Sequence, residues 1–268
     1  MATPPNALFL SWILWMTRLS LCLATLIAAS AFDLTRREVP DVLWTVMAPP
    51  MALLTALWLL RNPGYTWLAL LSILLAALLA ALIYYTGLMG GADAKALVVV
   101  ALACPLNGPW TILPGHLFTP LATFSNALFL SVLMAICLFV RNLAWKAKTG
   151  LPLFKGLQAP LAVKVLVMLT GFKMRSQEVL EGRKHVFPLE VIREDGSREL
   201  TVALKIDAFY ERLDELREIS DSVLLPDYIW VSPGLPMIVF ITVGFLLAFF
   251  LGDLLFSAIL ALIRVFLA

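Results

Sequence analysis

Residues 65–107 read YTWLALLSILLAALLAALIYYTGLMGGADAKALVVVALACPLN, and the first formal charge along them is Asp93. A helix needs roughly 20 mostly apolar residues to cross about 30 Å of hydrocarbon. The part from 65 to 88 supplies them, and a second apolar run opens straight after Gly90-Gly91. Working outward, stretches at about 6–32, 42–60, 94–113, 117–140 and 237–260 have the same character, making six in all. The run at 94–113 is the weakest, because Pro105, Asn107, Gly108 and Pro109 interrupt its second half. Pro49 and Pro50 predict a kink in the second span, tolerable where neighbours re-satisfy the freed carbonyls.

Composition agrees. Hydrophobic residues make up 61% of the 268 and charged residues 14%, against roughly 45–50% and 25% in soluble domains. Of the 38 formal charges, 27 fall within 141–232, and none lies between Lys95 and Arg141. A soluble globule, a disordered chain and a nucleic-acid binder are excluded. The expected fold is an all-α polytopic membrane protein: six transmembrane helices in a lipid bilayer, with a small cytoplasmic α+β insert before the last helix. Residues 1–140 then form a membrane domain with spans one to five, 141–232 the insert, and 233–268 the last helix. Cys22, Cys104 and Cys137 lie singly in apolar runs, so neither a metal site nor a disulfide framework is expected. The start, MATPPNALFL, lacks the basic region of a cleavable secretory signal.

Orientation follows from Lys and Arg in the loops. Arg36, Arg37, Lys95 and the fourteen basic residues of the insert fall on one side. Only Arg61, Arg264 and at most Arg18 fall on the other. A cell-membrane protein with both termini outside and the insert in the cytoplasm is expected. Arg18 lies 15 residues before Asp33, about 22 Å along a helix, which places it towards the outer headgroups. Asp253 is expected within the last helix as a packing or interfacial carboxylate.

Within the insert, residues 157–172 read as an interfacial or core helix, too short and too charged at Lys164 to be a seventh span. His185–Ile192 and Arg198–Ile206 read as strands flanking Glu194-Asp195-Gly196-Ser197, a hairpin signal. Asp207 is expected to cap an amphipathic helix, DAFYERLDELREIS.

Outside the insert and the last helix the acidic residues are Asp33, Glu38, Asp41 and Asp93, all at helix ends on the inferred cytoplasmic side. Asp33 closes the first span. Asp93 opens the fourth, just after glycines expected to give backbone freedom and close helix approach. Two adjacent carboxylates cannot both ionise readily, so they share a proton. One then takes a proton from water while the other polarises a scissile carbonyl, which is aspartic peptide hydrolysis without metal or cofactor. Aspartates at membrane-helix ends are also common as caps or headgroup contacts, so spacing alone leaves the pair one reading among several. Asp41, after Pro40, is expected to be the N-cap of the second helix, and Glu38 a loop charge facing Arg36 or Arg37. His116 and His185 fall on opposite sides of the membrane, which disfavours a histidine-based site.

At these residues the chain resembles the archaeal prepilin and preflagellin (archaellin) peptidases, of the GxGD family of membrane aspartic proteases. The resemblance rests on six spans, Asp33 ending the first, Gly90-Gly91-Ala92-Asp93 opening the fourth, the insert, and WVSPGLP at 230–236. Ala92 stands where the family pattern has its second glycine, a familiar departure in the archaeal branch. The resemblance implies Asp33 and Asp93 as the catalytic pair, Gly90 and Gly91 as the helix break, and Arg37, Pro40 and Glu38 as leader-binding or supporting residues. It implies removal of the basic leader from type IV pilin-like precursors, the subunits of archaella and pili, at the cytoplasmic membrane face. No methyltransferase activity is expected, since nothing matches the CxxC-bearing domain of bacterial prepilin peptidases. The rival from another class is a transporter relaying ions through intramembrane carboxylates.

Overall fold

The computed structural model describes residues 5–87, 89–108, 112–113, 117–181, 186–193, 197–201, 215–218, 225–233 and 236–267. The chain divides into two compact units, Met1–Ser131 with Pro236–Ala268, and Val132–Leu235.

The first unit is helical. Its elements are α1 (Pro5–Arg36), α2 (Asp41–Arg61), α3 (Thr66–Thr86), α4 (Gly91–Ala103), the beginning of α5 (Thr119–Thr149), α8 (Met237–Phe250) and α9 (Leu254–Leu267). A single 3₁₀ turn, Pro63–Tyr65, joins α2 to α3. Among the described residues, four helical stretches are long and apolar enough to cross a membrane: 11–36, 41–61, 63–86 and 119–149. A fifth exists if α8 and α9 count as one span bent by 60°. Leu70, Leu74, Leu78 and Leu82 of α3 are exposed at helical spacing. Such a stripe is unfavourable in water and natural in hydrocarbon.

The count differs from the sequence expectation at α4, which ends at Ala103 rather than near residue 113. Pro105 offers no N–H and disfavours helical backbone at the residue before it, so the helix stops there. The last carbonyls of α4 then need other donors. The Thr55 hydroxyl of α2 donates to Leu102 O at 2.7 Å, and the Ser72 hydroxyl of α3 donates to Pro105 O at 2.6 Å. Beyond the break the chain turns back, with Asn107 N–H donating to Leu117 O. Although short, α4 is the centre of this unit. It packs on α1, α2, α3 and α8, with Ala96, Leu97, Val100, Ala101 and Ala103 wholly buried. α3 turns Ala69, Ser72, Ala76, Ala80 and Ile83 inward, a mostly small-residue face that lets two backbones approach.

α2 runs unbroken through Pro49 and Pro50. Arg18 is buried on α1: one Nη donates to Thr55 Oγ1, and the guanidinium lies 4.6 Å from the centre of the Trp58 ring. It therefore finds a cation–π and hydroxyl partner on α2 rather than a headgroup.

The last apolar stretch is two helices, not one. Gly252 takes φ +101° at the break, a conformation that favours glycine. Asn126 of α5 bridges it, donating to Gly244 O and Gly252 O and accepting from Leu254 N–H. Asp253 accepts from Ser125 Oγ–H and Phe256 N–H. It is thus the N-cap of α9, three residues ahead of the donor it satisfies. At Gly244 a Cβ would lie 2.6 Å from Thr123 O, so α8 and the start of α5 are in backbone contact there.

The second unit holds the end of α5, α6 (Leu161–Thr170), β1 (Phe172–Arg175), α7 (Ser176–Leu180), β2 (Val186–Pro188), β3 (Glu190–Ile192), β4 (Arg198–Leu200) and β5 (Tyr228–Pro233). One antiparallel sheet has the order β1-β5-β2, and β3 pairs with β4 as the hairpin signal predicts. The expected first strand is divided: Val186–Pro188 pairs with β5, and Glu190–Ile192 pairs with β4. Turn residues 194–196 and most of the helix expected from Asp207 lie outside the described residues, although 215–218 are helical.

The core of this unit includes an ionic cluster. Glu190 is 2% exposed. Its Oε1 accepts from Lys173 Nζ at 3.0 Å and Trp230 N at 2.7 Å, and its Oε2 accepts from Arg198 Nε and Nη2. Burial holds the Lys173 ammonium below its ordinary pKa, with the adjacent Glu190 carboxylate opposing that shift. Trp230 stacks on Phe154 at 5.1 Å and donates its indole N–H to Leu153 O. Asn142 of α5 donates to Met168 O and Gly171 O.

Candidate active site

Asp33 lies one turn before the C-terminal end of α1, and Asp93 in the first turn of α4. These two helices are in contact, and the Asp33 carboxylate lies within electrostatic reach of Asp93. Asp93 is 8% exposed and Asp33 half-buried. The helices that carry the two carboxylates singled out from the sequence are therefore packed together.

Local chemistry sets each of them. Asp93 is at N3 of α4, where its Oδ2 accepts from Gly90 N–H at 3.0 Å. That bond ties the carboxylate to an orphan donor at the positive end of the helix. Gly90 has φ −66° and ψ 152°, ordinary extended backbone. Conformational freedom is thus not what the pair of glycines supplies, contrary to expectation. Nor does close packing demand them: a Cβ on Gly90 would sit 3.4 Å from Asp93 Oδ2 and one on Gly91 3.4 Å from the Tyr84 ring, ordinary contact distances. The left-handed conformation at this break belongs to Gly87, with φ +64°, which closes α3.

Around Asp33 the chain turns sharply. Arg37 has φ +57°, the one described residue other than glycine in that region, and its N–H donates to Asp33 O at 3.1 Å. Its guanidinium also acts electrostatically on the Asp33 carboxylate. Asp33 Oδ2 and Arg37 Nε are nonetheless buried without a hydrogen-bond partner among the described residues. No group of three or more His, Cys, Asp or Glu able to hold a metal occurs among them. Two acids in mutual reach, one tied to a helix N-terminus and one with a bare oxygen, can hold a water and exchange protons with it.

Both helices of this pair fall within residues 20–140, which match the type IV leader peptidase family. Residues 163–254 match a second family, described as the archaeal peptidase A24 C-terminus, type II. Along most of its length the chain is thus similar to the type IV leader peptidases. It is 22% identical over 238 residues to the preflagellin peptidase of Methanocaldococcus jannaschii, covering 85% of this chain and 91% of that protein. It is 26% identical over 246 residues to the preflagellin peptidase of Methanococcus voltae, covering 88% and 95%.

Every sequence-named site residue falls inside the leader-peptidase match, but the structure separates them. Asp33, Arg37, Gly90, Gly91 and Asp93 lie at the junction of α1 and α4. Glu38 and Pro40 are exposed in the connection to α2. Arg36 lies over the Phe32 ring at 5.5 Å, and Arg37 turns to Asp33, so neither is held by Glu38. Pro40, not Asp41, is the N-cap of α2, and no side-chain cap bond is present. Asp41 instead forms an ion pair with Lys95 of α4, Nζ to Oδ1 2.5 Å. Sequence reasoning also missed Trp44, which is 5% exposed and carries an indole N–H without a partner among the described residues. A tryptophan one turn into an apolar helix carries no signal that separates it from an interfacial anchor.

Proposed function

We propose that the chain is a membrane-embedded aspartic endopeptidase that removes the basic leader from type IV pilin-like precursors, preflagellins or prepilins. The observation that supports it is the packing of α1 against α4, with Asp33 near the end of one and Asp93 near the start of the other, in a chain that matches the leader peptidase family. In the proposed reaction one carboxylate takes a proton from water as its oxygen attacks the scissile carbonyl carbon. The protonated partner gives its proton to the carbonyl oxygen. The tetrahedral adduct then collapses, and a proton passes to the leaving amine. Asp93 is held for this by Gly90 N–H, while the bare Oδ2 of Asp33 faces no competing donor among the described residues.

The seventeen-to-three bias of basic residues supports placing this pair and the insert in the cytoplasm and both termini outside. On this reading α4 with its following turn is the fourth of six membrane passages, and the bilayer is the working environment. The transporter reading draws no support from the family match. Purified protein mixed with a preflagellin in vesicles is expected to release the leader, and Asp33→Asn and Asp93→Asn to release none. Normal processing by either variant overturns the assignment.

A further inference from the structure

Three buried polar atoms at one end of the α1–α2–α4 junction have no partner among the described residues: Asp33 Oδ2, Arg37 Nε and Trp44 Nε1. An unsatisfied buried donor or acceptor is costly, and such a group calls for a function. Their placement is common. Asp33 lies three residues before the end of α1, Trp44 three after the start of α2, and Asp93 two after the start of α4. Each is thus within about 5 Å of its helix end. All three helices touch one another. The Asp41–Lys95 ion pair holds the starts of α2 and α4 side by side, one turn from Trp44. Trp44 belongs to the same buried cluster as Leu97 and Val100 of α4, with Met89 and Ala92 packed against it.

The chemistry of the three atoms is mixed. Trp44 Nε1–H and Arg37 Nε–H donate only, and Asp33 Oδ2 accepts when ionised. An anion would satisfy the donors and repel the carboxylate, and a cation would do the reverse. A peptide carbonyl is neutral: it accepts from the donors and leaves the Asp33 carboxylate free for the water. We propose that Trp44 is a substrate-binding residue whose indole N–H donates to a backbone carbonyl of the unwound peptide at the cleavage junction. This rests on the peptidase reading above and assigns one of its contacts.

The test is kinetic, on full-length protein in vesicles with a leader-bearing peptide. Trp44→Phe keeps an aromatic ring in the core and deletes the donor. A loss of about tenfold in kcat/KM is expected, chiefly through KM, with the melting temperature held. Replacing Trp44 by its benzothiophene isostere, which keeps the indole shape without the N–H, should give the same loss and serves if the phenylalanine variant folds poorly. A series of peptides carrying single backbone thioamides across the junction then separates contact from packing. At one position wild type and variant should cleave at nearly equal rates, because the accepting oxygen is already gone. A packing role would instead penalise every peptide alike, and that result overturns the proposal. So does an unchanged kcat/KM in either variant while Asp33→Asn and Asp93→Asn are inactive, an outcome that leaves the peptidase reading intact. If wild-type protein fails to cleave, the peptidase reading falls first and this contact with it.

Discussion

Two regions of the molecule each bury acid, and they treat it in opposite ways. In the strand-bearing unit, both oxygens of Glu190 are committed: Lys173 and Trp230 N–H on one, the Arg198 guanidinium on the other. At the α1–α4 junction, Asp93 accepts one backbone N–H and Asp33 keeps an oxygen with no described partner. A carboxylate with every lone pair occupied is a tie, holding β3 to β1, β4 and β5. One with free lone pairs is available to water. Satisfaction of the acid, more than its burial, separates the two.

The contrast is broken most forcefully by exchanging each acid for its amide. Asp33→Asn and Asp93→Asn are expected to reduce leader release by about 10³-fold or more while leaving the melting temperature nearly unchanged. Activity and thermal unfolding measured on one preparation decide this. Glu190→Gln should do the reverse. It leaves Lys173 and Arg198 without a counter-charge and is expected to destabilise the second unit by about 3 kcal/mol. Limited proteolysis within 172–233 reads that loss, and cleavage per intact molecule should be preserved.

Asp253 sharpens the comparison from within the helical unit. It is as buried as Glu190 but is a helix cap. Asp253→Ala is expected to cost about 1 kcal/mol and Asp253→Asn less, since asparagine also caps. A large loss of activity in the asparagine variant would mean that this acid too does more than tie backbone. The smallest effect is expected at Asp41, whose carboxylate is 74% exposed in its pair with Lys95. Asp41→Asn should cost well under about 1 kcal/mol and leave leader release nearly intact.

Much of this was legible before any coordinates. Long uncharged runs identify membrane helices because the bilayer demands length and apolarity together, and Asp-Gly between two β-rich runs correctly marked the β3–β4 hairpin. The aspartates at 33 and 93 stand out because only four acids lie outside the insert and the last helix. What failed depended on partners elsewhere in the chain. Hydropathy at 94–113 says nothing about where Pro105 stops the helix, since Thr55 and Ser72 make that stop affordable. The break at Gly252-Asp253 sits in an apolar run whose reading changes only once Asn126 is seen bridging it. Asp41 after Pro40 looked like a cap because the local pattern hides Lys95, 54 residues later. Trp44 is conspicuous only through the bond that its indole lacks.

The early end of α4 also changes how hydroxyls in such sequences should be understood. Ser72 and Thr55 look like isolated polar residues in apolar helices, the kind commonly flagged as selectivity or transport positions. Here Thr55 serves Leu102 O in the last turn of α4, and Ser72 serves Pro105 O just beyond its end. Their chemistry is bound to the length of α4. Removing either hydroxyl would strand a buried carbonyl, and removing that of Thr55 would also take a partner from the Arg18 guanidinium. Hydroxyls and helix length are expected to vary as a linked set across related chains.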